Sequence, residues 1–200
     1  FSDAQIRGWF ASAGLLLDAP LTLEVAGVEG VAGLLAATLE EGTVSHPGTA
    51  FAEAVESCGA VLDAAAGYSH AHVLVDVPAA RLADAMGLLA EAVSEPVLTD
   101  ADADRHRLVA LSQVRQQLAT GAGRANHALR AAVLDPRFRS ARPKHGEEAT
   151  LSRVTGADVR ALHATAFGPR DAVLVIAGDV PPGVVEEASG ALAGWTNPAQ

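Results

Sequence analysis

Histidine, cysteine and glycine-rich turns are where chemistry would have to reside in this chain of 200 residues. His70 and His72 form an H-x-H on a segment that reads as a strand, so both imidazoles point to one face. Such a pair holds a metal when a third ligand reaches across from a neighbouring strand, and relocated metal chemistry of that kind would make the chain an enzyme. His46, His106, His127, His145 and His163 are scattered over other elements and offer no evident third member. His70 and His72 therefore read as surface or hydrogen-bonded residues. Gly27, Gly30 and Gly33 follow a G-x-x-G-x-x-G spacing, whereas a dinucleotide-binding turn needs G-x-G-x-x-G, so nucleotide binding is not expected. Cys58, the single cysteine, sits in the helical run AFAEAVESCGA with no base nearby and reads as a buried packing residue. One cysteine excludes an internal disulfide and a cysteine-rich metal site.

Fourteen Lys and Arg stand against 24 Asp and Glu, a formal net charge of −10. With no basic cluster offsetting it, this acidity argues against nucleic acid or an anionic membrane as partner. Hydrophobic residues make up 50% of the chain and aromatics only 4%, which points to a core of small aliphatic side chains on closely packed elements. The length suits a single α+β domain spanning 1–200. The start carries no signal peptide, and no apolar run reaches the roughly eighteen residues a membrane span needs. The expectation is a soluble, cytoplasmic protein, with 1–200 as a fragment of a longer polypeptide because the chain opens directly on a strand.

The elements that must position these residues alternate along the chain. Residues 6–17, 60–66, 70–77 and 172–177 read as strands of one mixed sheet, the last a continuous apolar run (AVLVIA) expected to be buried on both faces. Helices are expected after Gly30, over 48–58, from Pro78 to Val93, and from Thr99 or Asp100 through Gln117. The last of these should end near Gly121 and Gly123, before a short helix over 125–134. Further helices are expected from the Thr155/Asp158 capping box to Phe167, and from Pro181-Pro182 to Trp195. The helices should cover one face of the sheet. Between them lies the irregular stretch 135–146 (DPRFRSARPKHG), whose positive charges suit a grip on an acidic partner or, more simply, a solvated connection.

The stretch 30–43, GVAGLLAATLEEGT, ties the chemistry to the fold. Val31, Leu34, Leu35, Thr38 and Leu39 fall at helical spacing, and Gly42 suits the turn that ends the helix. The stretch resembles the signature helix of the insulinase/pitrilysin-type zinc metallopeptidases, which include the mitochondrial processing peptidase, with a pattern close to G-x-A-H-x-x-E-H-x-x-x-x-G-T. Gly30, Ala32, Gly42 and Thr43 match. Gly33 and Ala37 stand in place of the two histidines, and Ala36 in place of the catalytic glutamate. The family's last zinc ligand, a glutamate on a later helix, has Gln113 in its place within RHRLVALSQVR. The likeness continues at Gly59 and Ala64, with Asp63 where an asparagine is usual, and at Gly146. It runs on through Leu162, His163, Pro169 and Asp171, then along Val173 to Asp179.

The resemblance implies the first α+β domain of one half of a clamshell peptidase, in which catalytic and inactive halves pair around a peptide. Zinc needs three or four converging N, O or S donors and catalysis needs a carboxylate base, so the resemblance also implies an inactive member with no catalytic residue, metal ligand or cofactor of its own. It further implies a zinc-bearing homologue as heterodimer partner and a peptide as substrate. A structural subunit of a larger assembly is the alternative. On this alignment Gly33, Ala36, Ala37 and Gln113 should lie together where two helices touch. Imidazoles at positions 33 and 37 should then overpack the contact, at on the order of 1–3 kcal/mol.

Overall fold

The computed structural model describes residues 9–178, 180 and 182–197. Residues 6–8 of the expected first strand, Asp179 and Pro181 lie outside the described residues. Four strands form one sheet: β1 Phe10–Leu17, β2 Val61–Ala66, β3 Ala71–Pro78 and β4 Val173–Gly178, in the order β2-β3-β1-β4. All three pairings are antiparallel, so the sheet is not mixed as expected. A hairpin joins β2 to β3, and β1 runs between β3 and β4, pairing Ala13 with Val75 on one side and with Ile176 on the other.

Period-two alternation sorts each central strand into an inner and an outer face. Ala11, Ala13, Leu15 and Leu17 of β1 and Ala71, Val73, Val75 and Val77 of β3 are buried beneath the helices. The outer face carries no covering element among the described residues, and Val61, Leu74, Val173 and Val175 lie exposed on it. β4 therefore departs from the expected strand buried on both faces: Val173 is 54% and Val175 49% exposed. An unbroken apolar run shows that a strand is hydrophobic but not whether both its faces find cover, and this one sits at the end of the sheet.

Eight α-helices follow in chain order among the described residues: α1 Val31–Thr38, α2 Thr49–Ser57, α3 Leu82–Ser94, α4 Asp100–Ala119, α5 Gly121–Val133, α6 Glu148–Leu151, α7 Gly156–Ala166 and α8 Val184–Leu192. α3 packs on β3 and α8, while α1 packs on β2, α4 and α7. Their apolar stripes, such as Leu82, Ala85, Met86, Leu89 and Val93 on α3, merge with the inner sheet face into one core. Each fully buried Leu or Val contributes about 1.5–3 kcal/mol against exposure, so the helical layer and the sheet depend on each other.

Gly121 and Gly123 open a helix rather than close one. Thr120 is extended, its backbone N–H returns to Gln117, and its hydroxyl accepts from the N–H of Gly123 to cap α5. A Cβ at position 123 would stand 1.9 Å from the carbonyl oxygen of Gln117, so only glycine allows this tight corner. The Thr155/Asp158 capping box forms as expected at the start of α7.

Candidate functional site

Helix α1 presents two faces. Val31, Leu34 and Leu35 are buried in the core, and the hydroxyl of Thr38 donates back to the carbonyls of Leu34 and Leu35, which keeps a buried polar group satisfied. Gly33, Ala36 and Ala37 line a cavity of about 120 Å³, whose other walls are Leu21, Ala64, Ala65 and Ala66 of β2, and Lys144 and His145. Gly67 donates to the carbonyl of His70 in the hairpin, and antiparallel alternation then aims the backbone groups of Leu62, Ala64 and Ala66 away from β3. β2 is thus a free edge along the cavity. The N–H of Ala64 is taken by Glu40, whose carboxyl is pushed up by burial and by the neighbouring Asp63.

The end of α1 is tied to α4 by ion pairs. Glu41 meets Arg105 and His106, each at 2.6 Å. Burial alone would raise the Glu41 carboxyl, but the hydrogen bonds from Arg105 and His106 outweigh it and hold it low. Further along α4, Leu111 and Val114 turn into the core. Gln113, between them, is exposed and does not line the cavity. Gly33, Ala36 and Ala37 therefore share the cavity and α4 packs on α1 as expected, while the side chain of Gln113 is exposed and does not line the cavity.

These residues do not fit a zinc ion. Glycine and alanine bring no donor atom, Gln113 is exposed and does not line the cavity, His145 alone supplies an imidazole there, and among the described residues no carboxylate lines the cavity as a base. The first atom of a side chain at position 33 is not crowded, so overpacking there does not begin at Cβ. A Cβ built there meets only Nδ1 of His145, at 3.9 Å, an ordinary contact beside open space. His70 and His72 lie with ring centroids 5.9 Å apart, and His70 bonds to Ser69. Among the described residues no group of three or more His, Cys, Asp or Glu is placed to hold a metal.

Sequence reasoning missed a second constellation at the other end of α1. The side chains of Glu24 and Arg139 are 0% and 4% exposed and meet at 2.6 Å. Glu24 accepts hydrogen bonds from the N–H groups of Gly30 and Ala32 at the start of α1 and from Arg139 Nε. Arg139 also donates to the carbonyls of Arg142, Pro143 and Lys144. Arg142 Nε lies 2.9 Å from the carboxylate of Glu29, a charge contact outside hydrogen-bond geometry. Tyr68 donates to the carbonyl of Arg142, accepts from Arg130, and has the guanidiniums of Arg130 and Arg139 over its ring. Gly146 seals the join, since a Cβ there would stand 2.1 Å from the carbonyl oxygen of Glu29. Within the basic stretch 135–146, Arg139 is therefore held inside the protein by Glu24 and Arg142 reaches Glu29 from the surface, while Arg137 stays exposed and Lys144 and His145 line the cavity. Two carboxylates in the otherwise apolar PLTLEVAGVE were the signal that could have exposed this clamp.

Beside the cavity, α4, α5 and residues 143–149 enclose a groove of about 830 Å³ that includes Leu118, Leu129 and Val133. Lys144 and His145 belong to both spaces. Burial, with Lys144 adding to it, holds the His145 imidazole below its ordinary range.

The family model described as Insulinase (Peptidase family M16) matches residues 7–140. The chain belongs to this family. No curated protein matches the chain. Among solved structures, the peptidase M16 inactive domain from Pseudomonas fluorescens superposes with a TM-score of 0.84 at 22% identity, over 94% of this chain and 46% of that one. A protease from Helicobacter pylori gives 0.83 at 20%, over 94% and 46%. The periplasmic protease PqqL from Escherichia coli gives 0.83 at 20%, over 94% and 22%. At such identities the likeness shows the fold, an α+β M16 domain, and the chain spans less than half the length of each of these structures. Among the described residues no helix is long and apolar enough to cross a membrane.

Proposed function

We propose that this chain is a non-catalytic domain of a two-part M16 peptidase, folding as a single unit over 1–200 within a larger assembly. It supports a zinc-bearing homologue, its heterodimer partner, and helps to enclose the peptide substrate. The observation that carries this reading is the cavity walled by Gly33, Ala36 and Ala37: a member of a peptidase family keeps the helix and the free β-edge, but these three helix positions offer no donor for metal or proton. The test is to purify the chain together with a homologue that carries an intact H-x-x-E-H helix and follow cleavage of a quenched peptide library. Activity that appears only with both chains supports the proposal, and a homologue that works at full rate alone overturns it.

A structural role in a larger assembly is the second reading, favoured by the uncovered sheet face with Val61, Leu74, Val173 and Val175. Stable residence in a complex with no peptide-processing member would select it. The compartment belongs to the same proposal: a chain whose one cysteine, Cys58, is free and buried needs no oxidising environment, and we place it in the cytoplasm. Fractionation that finds it in the periplasm, where PqqL resides, would correct that placement.

A further inference from the structure

The cavity lacks a metal site but has a charged wall. Lys144 is the only lysine of the chain, and neither its ammonium nor the His145 ring has an ion-pair or hydrogen-bond partner among the described residues. In a protein of net charge −10 this stands out, because eight arginines hold carboxylates. Lys144 and His145 both line the cavity, whose remaining walls are apolar. Asp63 on β2 and Glu40 beside it do not line the cavity. At roughly 30 Å³ per water, the cavity has room for about four waters or a side chain of four or five heavy atoms. It lies beside the free edge of β2, where an extended chain can lie, and shares Lys144 and His145 with the larger groove.

We propose that the space between Gly33, Ala36, Ala37 and Ala64–Ala66 is a pocket for a carboxylate carried by an extended peptide, with Lys144 as its cation and the ring N–H of His145 as a neutral hydrogen-bond donor beside it. The small side chains that remove the metal ligands make the room, and Lys144 supplies the charge that selects what enters. This deepens the peptide-enclosing role proposed above and rests on it. The carboxylate comes either from an acidic side chain or from a peptide C-terminus.

The experiment is a titration of the isotope-labelled 200-residue chain, read at the methyl groups of Ala36, Ala37 and Ala65. Three peptides are compared: Ac-Ala-Ala-Glu-Ala-Ala-NH2, its Gln counterpart, and Ac-Ala-Ala-Ala-Ala-Ala with a free C-terminus. Shifts at these methyls from the Glu peptide, with the Gln peptide on the order of tenfold weaker, assign the pocket to acidic side chains. Binding of the free C-terminus instead assigns it to chain ends, and either result supports carboxylate recognition. Lys144→Gln, a change at the cavity rim, should abolish the difference between Glu and Gln peptides, and Ala37→Leu should fill the pocket and remove binding. Equal binding of Glu and Gln peptides would overturn the carboxylate selectivity while leaving peptide enclosure standing. No shift at these methyls from any peptide would overturn the pocket, and the two-chain activity assay would still decide the wider proposal independently.

Discussion

The two ends of helix α1 have opposite endowments. At its start, Glu24 accepts three hydrogen bonds in a dry interior, two from backbone N–H groups of the first turn and one from Arg139 Nε, with a second Arg139 nitrogen at ion-pair distance. Half a turn to two turns further on, Gly33, Ala36 and Ala37 present no polar atom beyond the backbone to the space before them. The first region holds polar chemistry because the fold depends on it, while the second shows that the helix stands without polar side chains where a peptidase would need them. The demands of folding and of catalysis thus fall on separate turns of one helix.

The largest effect should come from the dry end. Arg139→Ala strands the Glu24 carboxylate in the interior and should cost about 3–5 kcal/mol, read as a lowered urea midpoint. Combining Arg139→Met with Glu24→Gln, which keeps an acceptor for Gly30 and Ala32, should restore much of that loss. If the single variant is as stable as the parent, the contrast between the two ends collapses. At the cavity end the sign reverses: Gly33→Ala, within the helix and facing open space, should stabilise by about 0.5–1 kcal/mol. Gly33→His with Ala37→His should stay within about 1 kcal/mol of the parent and retain only substoichiometric zinc after dialysis, since among the described residues His145 is the one further imidazole at the cavity and no carboxylate lines it as ligand or base. Stoichiometric zinc in that variant would show a donor that Gly33, Ala36, Ala37 and Gln113 do not account for.

A smaller effect tests a buried group away from α1. His163 bonds to the carbonyl of Val93 at 2.9 Å. Burial nonetheless lowers its pKa from the ordinary 6.5, the bond to Val93 opposing only in part. The unfolded chain therefore takes up this proton first as the pH falls through 6.5, so the stability associated with a neutral His163 is complete above that value and is lost as the pH drops towards the folded pKa. Thermal melts across this window should slope with pH in the parent and flatten in His163→Gln. Smallest of all, Arg115→Ala breaks an exposed ion pair with Glu148 and should leave the melting midpoint unchanged, as for most such pairs.

What the sequence made legible follows from range. Local signals located the helices and strands: the stripe on α3, the alternation in β3, the capping box of α7. The three small residues of α1 were readable as a missing site because an eight-residue helix keeps its members in register. Gln113 was placed by alignment to another helix, and the burial of Leu111 and Val114 decided its direction instead. The Glu24–Arg139 pair spans most of the chain and has no periodicity to announce it. The exposure of β4 depends on what lies over a face, which an apolar hexapeptide cannot encode.

The position of β1 between its neighbours also sets the order of assembly. Ala13 pairs with Ile176 near the far end of the chain, beyond the stretch the family model matches. At a synthesis rate of about 5–20 residues per second, β1 emerges roughly ten seconds or more before β4 exists to pair with it. Until then its second row of backbone groups is an open edge flanked by apolar residues, the kind of surface on which nascent chains adhere to one another. A helix layer that docks early on the inner face, before the sheet is complete, protects the chain during that interval.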